Sequence, residues 1–256
     1  MTVHEFGDKS SPVIMLFPGT ACYWKGNFGP VIDELSKSFL VAAVAYTGFD
    51  ESDRESYTTV SDELEKIEGY ILGNYGGRIH ASYGCSLGGT FVAHIAAKHN
   101  IHMKYGIIGG SDLDQAGKLK AGILTEIMVK AIYGFIHTGQ YSSWFMQKRF
   151  ERQMADPYNR AFVAMTGRDK YDMSFITKES LKNQFRSDLT TPLPEHIENG
   201  ETEIHVFYAK KMGEKYLERY HRYFKDPIIH ELDMKHEELL GLHPGDWCSP
   251  VKKICL

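Results

Sequence analysis

The chain has 256 residues, of which 43% are hydrophobic and 24% are charged, a composition that is typical of globular proteins and argues against disorder. Its net charge of −4 gives no indication of affinity for a nucleic-acid backbone or for anionic lipid. No apolar run approaches the ~20 residues that span a bilayer, the N-terminal segment does not resemble a signal peptide, and the four cysteines form no CxxC pair. We therefore expect a cytoplasmic protein with no membrane span and no nucleic-acid partner.

Short apolar runs alternate with helical patterns along most of the chain. The apolar runs predict strands at 13–17, 39–46, 79–83, 105–108, 204–208 and 228–232, with a weaker candidate at 2–6. Apolar residues at helical spacing predict helices at 31–39, 60–72, 86–99 and 214–224. Near-continuous apolar strands indicate burial on both faces. The alternation predicts an α/β protein with a mostly parallel, doubly wound sheet.

Residues 113–199 interrupt this alternation, because they contain helical patterns and no convincing strand. We expect them to form a helical cap over one end of the sheet, inserted into a core made of residues 1–112 and 200–256. The cap is rich in aromatic side chains, which together suggest an apolar pocket although each alone is more typical of helix packing. These aromatic residues are Tyr133, Phe135, Tyr141, Trp144, Phe145, Phe150, Tyr158 and Phe162.

The strongest local motif is Gly84-Cys85-Ser86-Leu87-Gly88-Gly89, between a predicted strand and a predicted helix. This is the context of a G-x-S-x-G nucleophile elbow, in which a sharp turn raises a serine above the end of the sheet. Glycines are needed there because the turn leaves no room for a Cβ two residues to either side of the serine. Ser86 is therefore the predicted nucleophile, whereas Cys85 is expected to point into the fold.

Other site types fit the sequence less well. A phosphate-binding loop would need Lys after its last glycine, where Thr90 stands, and a dinucleotide fingerprint would need glycine in place of Ser86. The segment that begins at His236 is not a zinc-binding HExxH, because Leu240 occupies the second histidine position. The sequence predicts no cofactor and no metal site.

A nucleophilic serine needs a base, an acid that orients the base, and donors for an oxyanion. His236 is the predicted base, because it follows the last strand on the rim that carries Ser86. Glu214 is the predicted acid, and Asp112 and Asp114 after the fourth apolar run are the alternatives.

Two backbone groups are predicted to bind the oxyanion. One is the N–H of Leu87, directly after the nucleophile, and the other is the N–H of Thr20, in the loop after the strand at 13–17. Gly19 lets the backbone of this loop approach a substrate closely. Removing one such donor typically costs ~10²–10³ in rate, so both loops should matter.

Over nearly its full length the chain resembles the α/β-hydrolase superfamily, and it looks most like small capped bacterial carboxylesterases and lipase-like serine hydrolases. The matching segments are residues 17–20, 47–52 and 84–89, together with His236. The resemblance implies an eight-stranded sheet, a helical lid after the sixth strand and no cofactor. The chain departs from the pattern in having Pro18-Gly19 for the usual His-Gly, and in placing Glu214 two residues beyond the usual acid position near Met212.

These observations predict a hydrolase that cleaves a carboxylic ester or thioester with a hydrophobic portion through an acyl-enzyme. An acyltransferase, a thioesterase or a C–C hydrolase would use the same residues. A non-catalytic protein that binds small molecules on this fold is the alternative from another class. The sequence makes no prediction of oligomeric state.

Overall fold

Seven strands form one sheet in this computed structural model, which describes residues 1–141 and 143–256. The strand order is β1-β3-β2-β4-β5-β6-β7, and every neighbouring pair is parallel except β1 with β3. All seven predicted strands, including the candidate at 2–6, are confirmed to within a few residues. The strands are β1 (Thr2–Phe6), β2 (Val13–Phe17), β3 (Leu40–Ala45), β4 (Arg78–Gly84), β5 (His102–Ile108), β6 (Glu203–Ala209) and β7 (Ile228–Leu232).

Helices connect the parallel strands, as the alternating pattern predicted. In the core the connecting helices are α1 (Trp24–Leu35), α2 (Val60–Tyr75), α3 (Leu87–Lys98) and α8 (Glu214–Tyr223), and α9 (Glu238–Leu242) and α10 (Pro244–Cys255) follow the last strand. Four more lie between β5 and β6, where the cap was predicted: α4 (Lys118–Thr138), α5 (Trp144–Gln153), α6 (Pro157–Thr166) and α7 (Lys178–Thr190). We call these four helices the cap. No helix in the described ranges has both the length and the apolar character needed to cross a bilayer.

The termini of α2 show how local sequence sets an element. The Thr59 side chain accepts a hydrogen bond from the backbone N–H of Asp62 at 3.1 Å, which caps the first turn. Asp62 and Glu63 lie in that turn, where carboxylates favour the positive end of the helix dipole. Gly76 ends the helix in the left-handed conformation, with φ 61°.

Two expectations about the edges of the core were wrong. The sheet has seven strands and not the eight that the resemblance implied, because only β1 precedes β2 and it pairs antiparallel with β3. The first helix begins at Trp24 and not at Val31, since Trp24 and Phe28 continue its buried side towards the N-terminus and Pro30 is accommodated within it. The helix ends at Leu35, before the predicted limit of Phe39.

The register of the sheet brings the ends of the central strands together. Phe17 pairs with Gly84, and Gly84 pairs with Ile108, so β2, β4 and β5 end at one level. Every residue of β3 is buried, as expected for a sheet covered on both faces. The loops that leave β2, β4 and β5 therefore meet at one rim of the sheet, which is where ligands bind in open α/β sheets.

Candidate active site

Ser86 lies at the turn between β4 and α3 with φ 50° and ψ −113°. A positive φ is uncommon for a residue other than glycine and stores backbone strain, which is typical of functional positions. Ser86 is half-buried, while Cys85 beside it is buried and accepts a hydrogen bond from Asn27 Nδ2 at 3.4 Å. Burial raises the pKa of the Cys85 thiol well above its ordinary value, so it stays protonated and does not compete with Ser86.

The glycines around Ser86 let three chain segments approach one another. A Cβ on Gly84 would collide with the backbone of Gly88, and a Cβ on Gly88 would collide with the carbonyl of Phe17 in β2. A Cβ on Gly89 would lie only 2.5 Å from the Cβ of Ser111, in the loop after β5. The motif therefore holds the elbow tightly against both neighbouring strands, for the steric reason that the sequence indicated.

A buried carboxylate joins the elbow to two other loops. Glu237 is 6% exposed, and its Oε1 accepts hydrogen bonds from the backbone N–H of Ser86 at 3.0 Å and of Gly110 at 2.6 Å. The hydroxyl of Tyr83 donates to Oε2 at 2.8 Å. Glu237 itself has φ 52°, so its backbone is strained in the same sense as that of Ser86. The nucleophile loop and the loop after β5 thus share one carboxylate oxygen.

His236 precedes Glu237 and is therefore held at the same place. Its ring lies against Gly110, since a Cβ added to that glycine would be 2.8 Å from His236 Nδ1. The cap covers this loop: Tyr158 of α6 donates its hydroxyl to the His236 carbonyl at 2.9 Å, and the Phe162 ring centroid lies 6.2 Å from that of His236. No hydrogen bond joins the Ser86 hydroxyl to the His236 ring among the described residues.

The three candidate acids occupy different surroundings. Asp112 is half-buried, and burial followed by the charge of Asp114 raises its pKa, while the nearby His236 and Arg219 act in the opposite direction. Asp114 forms an ion pair of 2.7 Å with Arg219. Glu214 is exposed at the start of α8, and no hydrogen bond or ion pair in the described part of the chain joins it to His236. Asp112 thus lies within electrostatic range of the predicted base, and no hydrogen bond joins either Asp112 or Glu214 to the His236 ring among the described residues.

A second acidic side chain lies next to Asp112. Asp188, on the last cap helix, accepts a hydrogen bond from Thr90 Oγ1 of α3 at 3.1 Å. Burial, and then the charge of Asp112, raise the pKa of Asp188 to about 8. Asp188 is therefore largely protonated at neutral pH, which limits the repulsion between the two side chains.

Buried amide side chains hold the loop that carries Thr20. The Gly19 N–H donates to Asn27 Oδ1 at 2.9 Å, and the Ala21 N–H donates to Gln184 Oε1 of α7 at 2.8 Å. The Thr20 N–H between them has no acceptor among the described residues, and Thr20 is half-buried. A cap helix thus fixes a core loop in a conformation that leaves the predicted oxyanion donor available.

The second predicted donor, the Leu87 N–H, belongs to the first turn of α3. The next two N–H groups, of Gly88 and Gly89, bond to the carbonyls of Cys85 and Ser86 at 2.7 and 2.9 Å, whereas that of Leu87 has no acceptor among the described residues. The first turn of a helix also carries partial positive charge. Both predicted donors are thus free to bind an anion.

Sequence reasoning missed Glu237, Gln184, Asn27 and Asp188. Glu237 could have been noticed as a carboxylate directly after the predicted base. Gln184 and Asp188 lie on a helix remote in sequence from the residues they contact, and Asn27, only eight residues after Gly19, belongs to no motif, so no local pattern identified these three. Of the cap aromatics, Tyr158 and Phe162 contact the His236 loop, whereas Phe135, Tyr141 and Phe150 pack on one another between α4 and α5.

Solved structures share this architecture from end to end. An alpha/beta hydrolase family protein from Desulfitobacterium hafniense is 18% identical, with a TM-score of 0.80 and 99% of each chain covered. An esterase from a marine microorganism is 13% identical, with a TM-score of 0.73, 100% of this chain and 98% of the other being covered. The enol-lactonase from Burkholderia xenovorans LB400 is 15% identical, with a TM-score of 0.67, and 99% of this chain and 95% of the other are covered.

No protein-family model matches the chain, and no curated protein matches it. At the identities of the three structural neighbours, the likeness shows the fold. The chain has the α/β-hydrolase fold, as the sequence predicted.

Replacement of Glu237 should destabilise the protein according to how many donors lose their acceptor. In Glu237→Ala, two backbone N–H groups and one hydroxyl are left unpaired, and we expect the free energy of unfolding to fall by at least about 3 kcal/mol. Glu237→Gln keeps an oxygen for both N–H groups and should lose only about 1 kcal/mol. Denaturant unfolding measures both. The exposed Glu231→Ala is the control, and an equal loss in Glu231→Ala and Glu237→Ala would contradict the prediction.

The raised pKa of Asp188 predicts a pH-dependent stability. The folded chain holds a proton on this side chain at pH values between 3.8 and about 8, where the unfolded chain has released it, so stability falls as the pH rises through this interval. Asp188→Asn removes this titrating group and with it the pH-dependent loss of stability. We expect the variant to have a higher Tm than the parent at pH 8 and a flatter Tm-versus-pH curve, measured calorimetrically. Curves that run parallel, as expected for the exposed control Asp226→Asn, would show that Asp188 does not titrate this way.

Proposed function

We propose that the protein is a serine hydrolase that cleaves carboxylic esters, or thioesters, with a hydrophobic portion. The observation that carries the proposal is the hydrogen bonding of Glu237, whose Oε1 binds the Ser86 N–H while its neighbour His236 lies against Gly110. This supports a strained serine and an imidazole that meet at one rim of the sheet. The strand–turn–helix setting is the one in which such serines act as nucleophiles.

In the acylation step the Ser86 Oγ attacks the substrate carbonyl as His236 takes up the hydroxyl proton. The N–H groups of Leu87 and Thr20 bind the oxyanion of the tetrahedral intermediate. The intermediate collapses with cleavage of the bond to the leaving group, and His236 transfers its proton to the departing alcohol or thiol. The acyl group then remains as an ester on Ser86.

Deacylation repeats the same steps with water. His236 removes a proton from a water molecule, which attacks the acyl-enzyme carbonyl, and the two backbone donors bind the second oxyanion. Collapse of this intermediate releases the carboxylic acid, and the proton on His236 returns to the Ser86 oxygen. No cofactor enters either step.

Asp112 is the acid that we assign to orient His236. It lies in the loop after β5, two residues beyond the Gly110 backbone that contacts the His236 ring, and the charge of His236 acts to lower the pKa of Asp112. Glu214, which the sequence favoured, is exposed and has no described contact with His236. A carboxylate that orients a catalytic imidazole must lie within hydrogen-bonding reach of it.

The preference for a hydrophobic substrate rests on the cap residues beside the base. Phe162 is partly exposed and adjacent to the His236 ring, and Tyr158 covers the same loop. An acyl or alcohol chain bound near Ser86 would bury apolar area against them. Among the structural neighbours are an esterase and an enol-lactonase, which support testing both open-chain and cyclic esters.

Hydrolysis of p-nitrophenyl esters of graded acyl length should depend on Ser86. We expect Ser86→Ala to lower kcat by at least about 10³-fold, because the nucleophile is lost while the fold is kept. A fluorophosphonate probe should label the parent on Ser86 and should not label the variant, which mass spectrometry of the peptide would establish. Thioesters, lactones and acyl acceptors in the same panel separate a hydrolase from an acyltransferase or a thioesterase. A folded parent that neither reacts with the probe nor turns over any ester would instead favour a non-catalytic binding protein.

If Asp112 is the acid that orients His236, conservative replacements of Asp112 and of Glu214 should have different effects on kcat. Asp112→Asn should lower kcat by about 10²–10⁴-fold, since the imidazole loses the group that fixes its tautomer. Glu214→Gln should change kcat by less than about two-fold, as expected for an exposed side chain. Steady-state kinetics on the best ester measures both. A large loss in Glu214→Gln with little change in Asp112→Asn would restore the acid that the sequence favoured.

A further inference from the structure

The outer side of the cap exposes apolar residues along the first half of α4. Its buried side packs largely against α7, through residues such as Ala121, Thr125 and Val129. On the other side, Leu119, Ile123 and Ile127 follow one another at four-residue spacing, and Leu119 is 81% exposed. Further exposed apolar residues widen this stripe, namely Leu124 and Met128.

The aromatic start of α5 continues this stripe. Trp144 and Phe145 are 70% and 69% exposed, far more than large aromatic side chains usually are. A groove of about 250 Å³ lies between α4 and α5, and Ala131 of α4 lines it together with Phe145 and other α5 residues. We call the exposed apolar residues of α4 and α5 the cap face, and the groove makes it continuous between the two helices.

Cations are concentrated around the cap face. Residues 118–153 contain six Lys or Arg and two Glu, a net charge of +4, although the chain as a whole carries −4 and its remainder therefore carries −8. Lys120 and Lys130 are exposed on α4 at positions that fall within the apolar stripe. Lys148 of α5 lies 4.3 Å from the centroid of the Trp144 ring. The net charge of the chain conceals this local excess.

The lysines in the first turn of α4 do not stabilise this helix. Lys118 and Lys120 lie at its positive end, the turn contains no acidic residue, and no side chain caps it at Gly117. Lysines at this end of a helix are unfavourable by a few tenths of a kcal/mol each through the helix dipole. An external anionic partner is a reason to keep them there.

We propose that the cap face docks on an anionic lipid surface. A helix with apolar residues on one side and lysines beside them, near exposed Trp and Phe, has the composition that binds in the plane of a membrane interface. Lysine side chains within or beside such a stripe extend their charged ends to the lipid phosphates. A second copy of the chain fits less well, because two cap faces of charge +4 would repel each other.

The chain carries its own probe for this docking. Of its three tryptophans, Trp24 and Trp247 are buried and only Trp144 is exposed, so a change in its surroundings dominates the change in fluorescence. We expect vesicles of phosphatidylcholine with phosphatidylglycerol to shift the emission to shorter wavelength and to co-sediment with the full chain. Vesicles of phosphatidylcholine alone should do neither. Raising the ionic strength from about 0.05 M to about 0.5 M should release the protein, since salt screens exposed charges.

Variants on the cap face separate the contribution of its lysines to vesicle binding from that of its apolar side chains. Each lysine near an anionic surface is worth roughly five-fold in affinity, so Lys120→Glu with Lys130→Glu should weaken binding by at least roughly 25-fold. Phe145→Ala should weaken binding while leaving the Trp144 probe in place. The matched controls carry equivalent changes outside the cap, at exposed residues: Lys9→Glu with Lys215→Glu for charge, and Leu72→Ala for apolar area. Neither control should lower vesicle binding by as much.

Two results would overturn the proposal. One is equal binding by the cap-face and control variants, or no preference for anionic vesicles. The other combines two observations: the protein does not bind vesicles, and sedimentation velocity detects a dimer that Phe145→Ala dissociates. The cap face would then be a self-association surface. The measurements require no turnover, so they stand apart from the proposed ester hydrolysis.

Discussion

The hydrogen bonds accepted by Glu237 connect segments of the candidate site that are far apart in the sequence. The elbow comes from β4, Gly110 from the loop after β5, and His236 from the loop after β7. Glu237 binds a backbone N–H of the first and of the second, while its own backbone continues directly from the third. Because a buried carboxylate without donors is costly, these bonds form together or are lost together. The geometry of the proposed nucleophile and base therefore depends on a residue to which the proposed mechanism assigns no proton transfer.

This arrangement concentrates strain and charge at one rim of the sheet. Ser86 and Glu237 both have positive φ, Asp112 lies within electrostatic range of His236, and the acidic Asp188 lies next to Asp112. The close packing permitted by Gly84 and Gly88 offsets part of the strain, and a proton held on Asp188 limits the repulsion. Such local costs are characteristic of sites whose geometry serves binding or chemistry more than stability.

The two sides of the cap have different physical character. Its inner side contacts the core through specific polar bonds, including Gln184 to the Ala21 N–H and Tyr158 to the His236 carbonyl. Its outer side, on α4 and α5, presents exposed apolar side chains and lysines. If the outer side rests on lipid, the site beneath the cap is held near a supply of amphiphilic esters. The proposed function and the proposed docking surface would then act at the same place.

The sequence by itself determined the strands, the order of strand and helix, and the elbow at Ser86, because these follow from local periodicity and from the steric need for glycine. It also indicated the rim that carries His236, since parallel strands end on the same side of a sheet. Only the tertiary structure placed Glu237 on the Ser86 N–H, Gln184 on the Ala21 N–H and Asp112 within electrostatic range of His236. Each of these contacts joins residues that are distant in sequence and depends on how the cap and the loops pack, which no local pattern encodes. The net charge of residues 118–153 can be counted on the sequence, but only the bounds of α4 and α5 in the structure identified this segment as the one to count in a chain that is acidic overall.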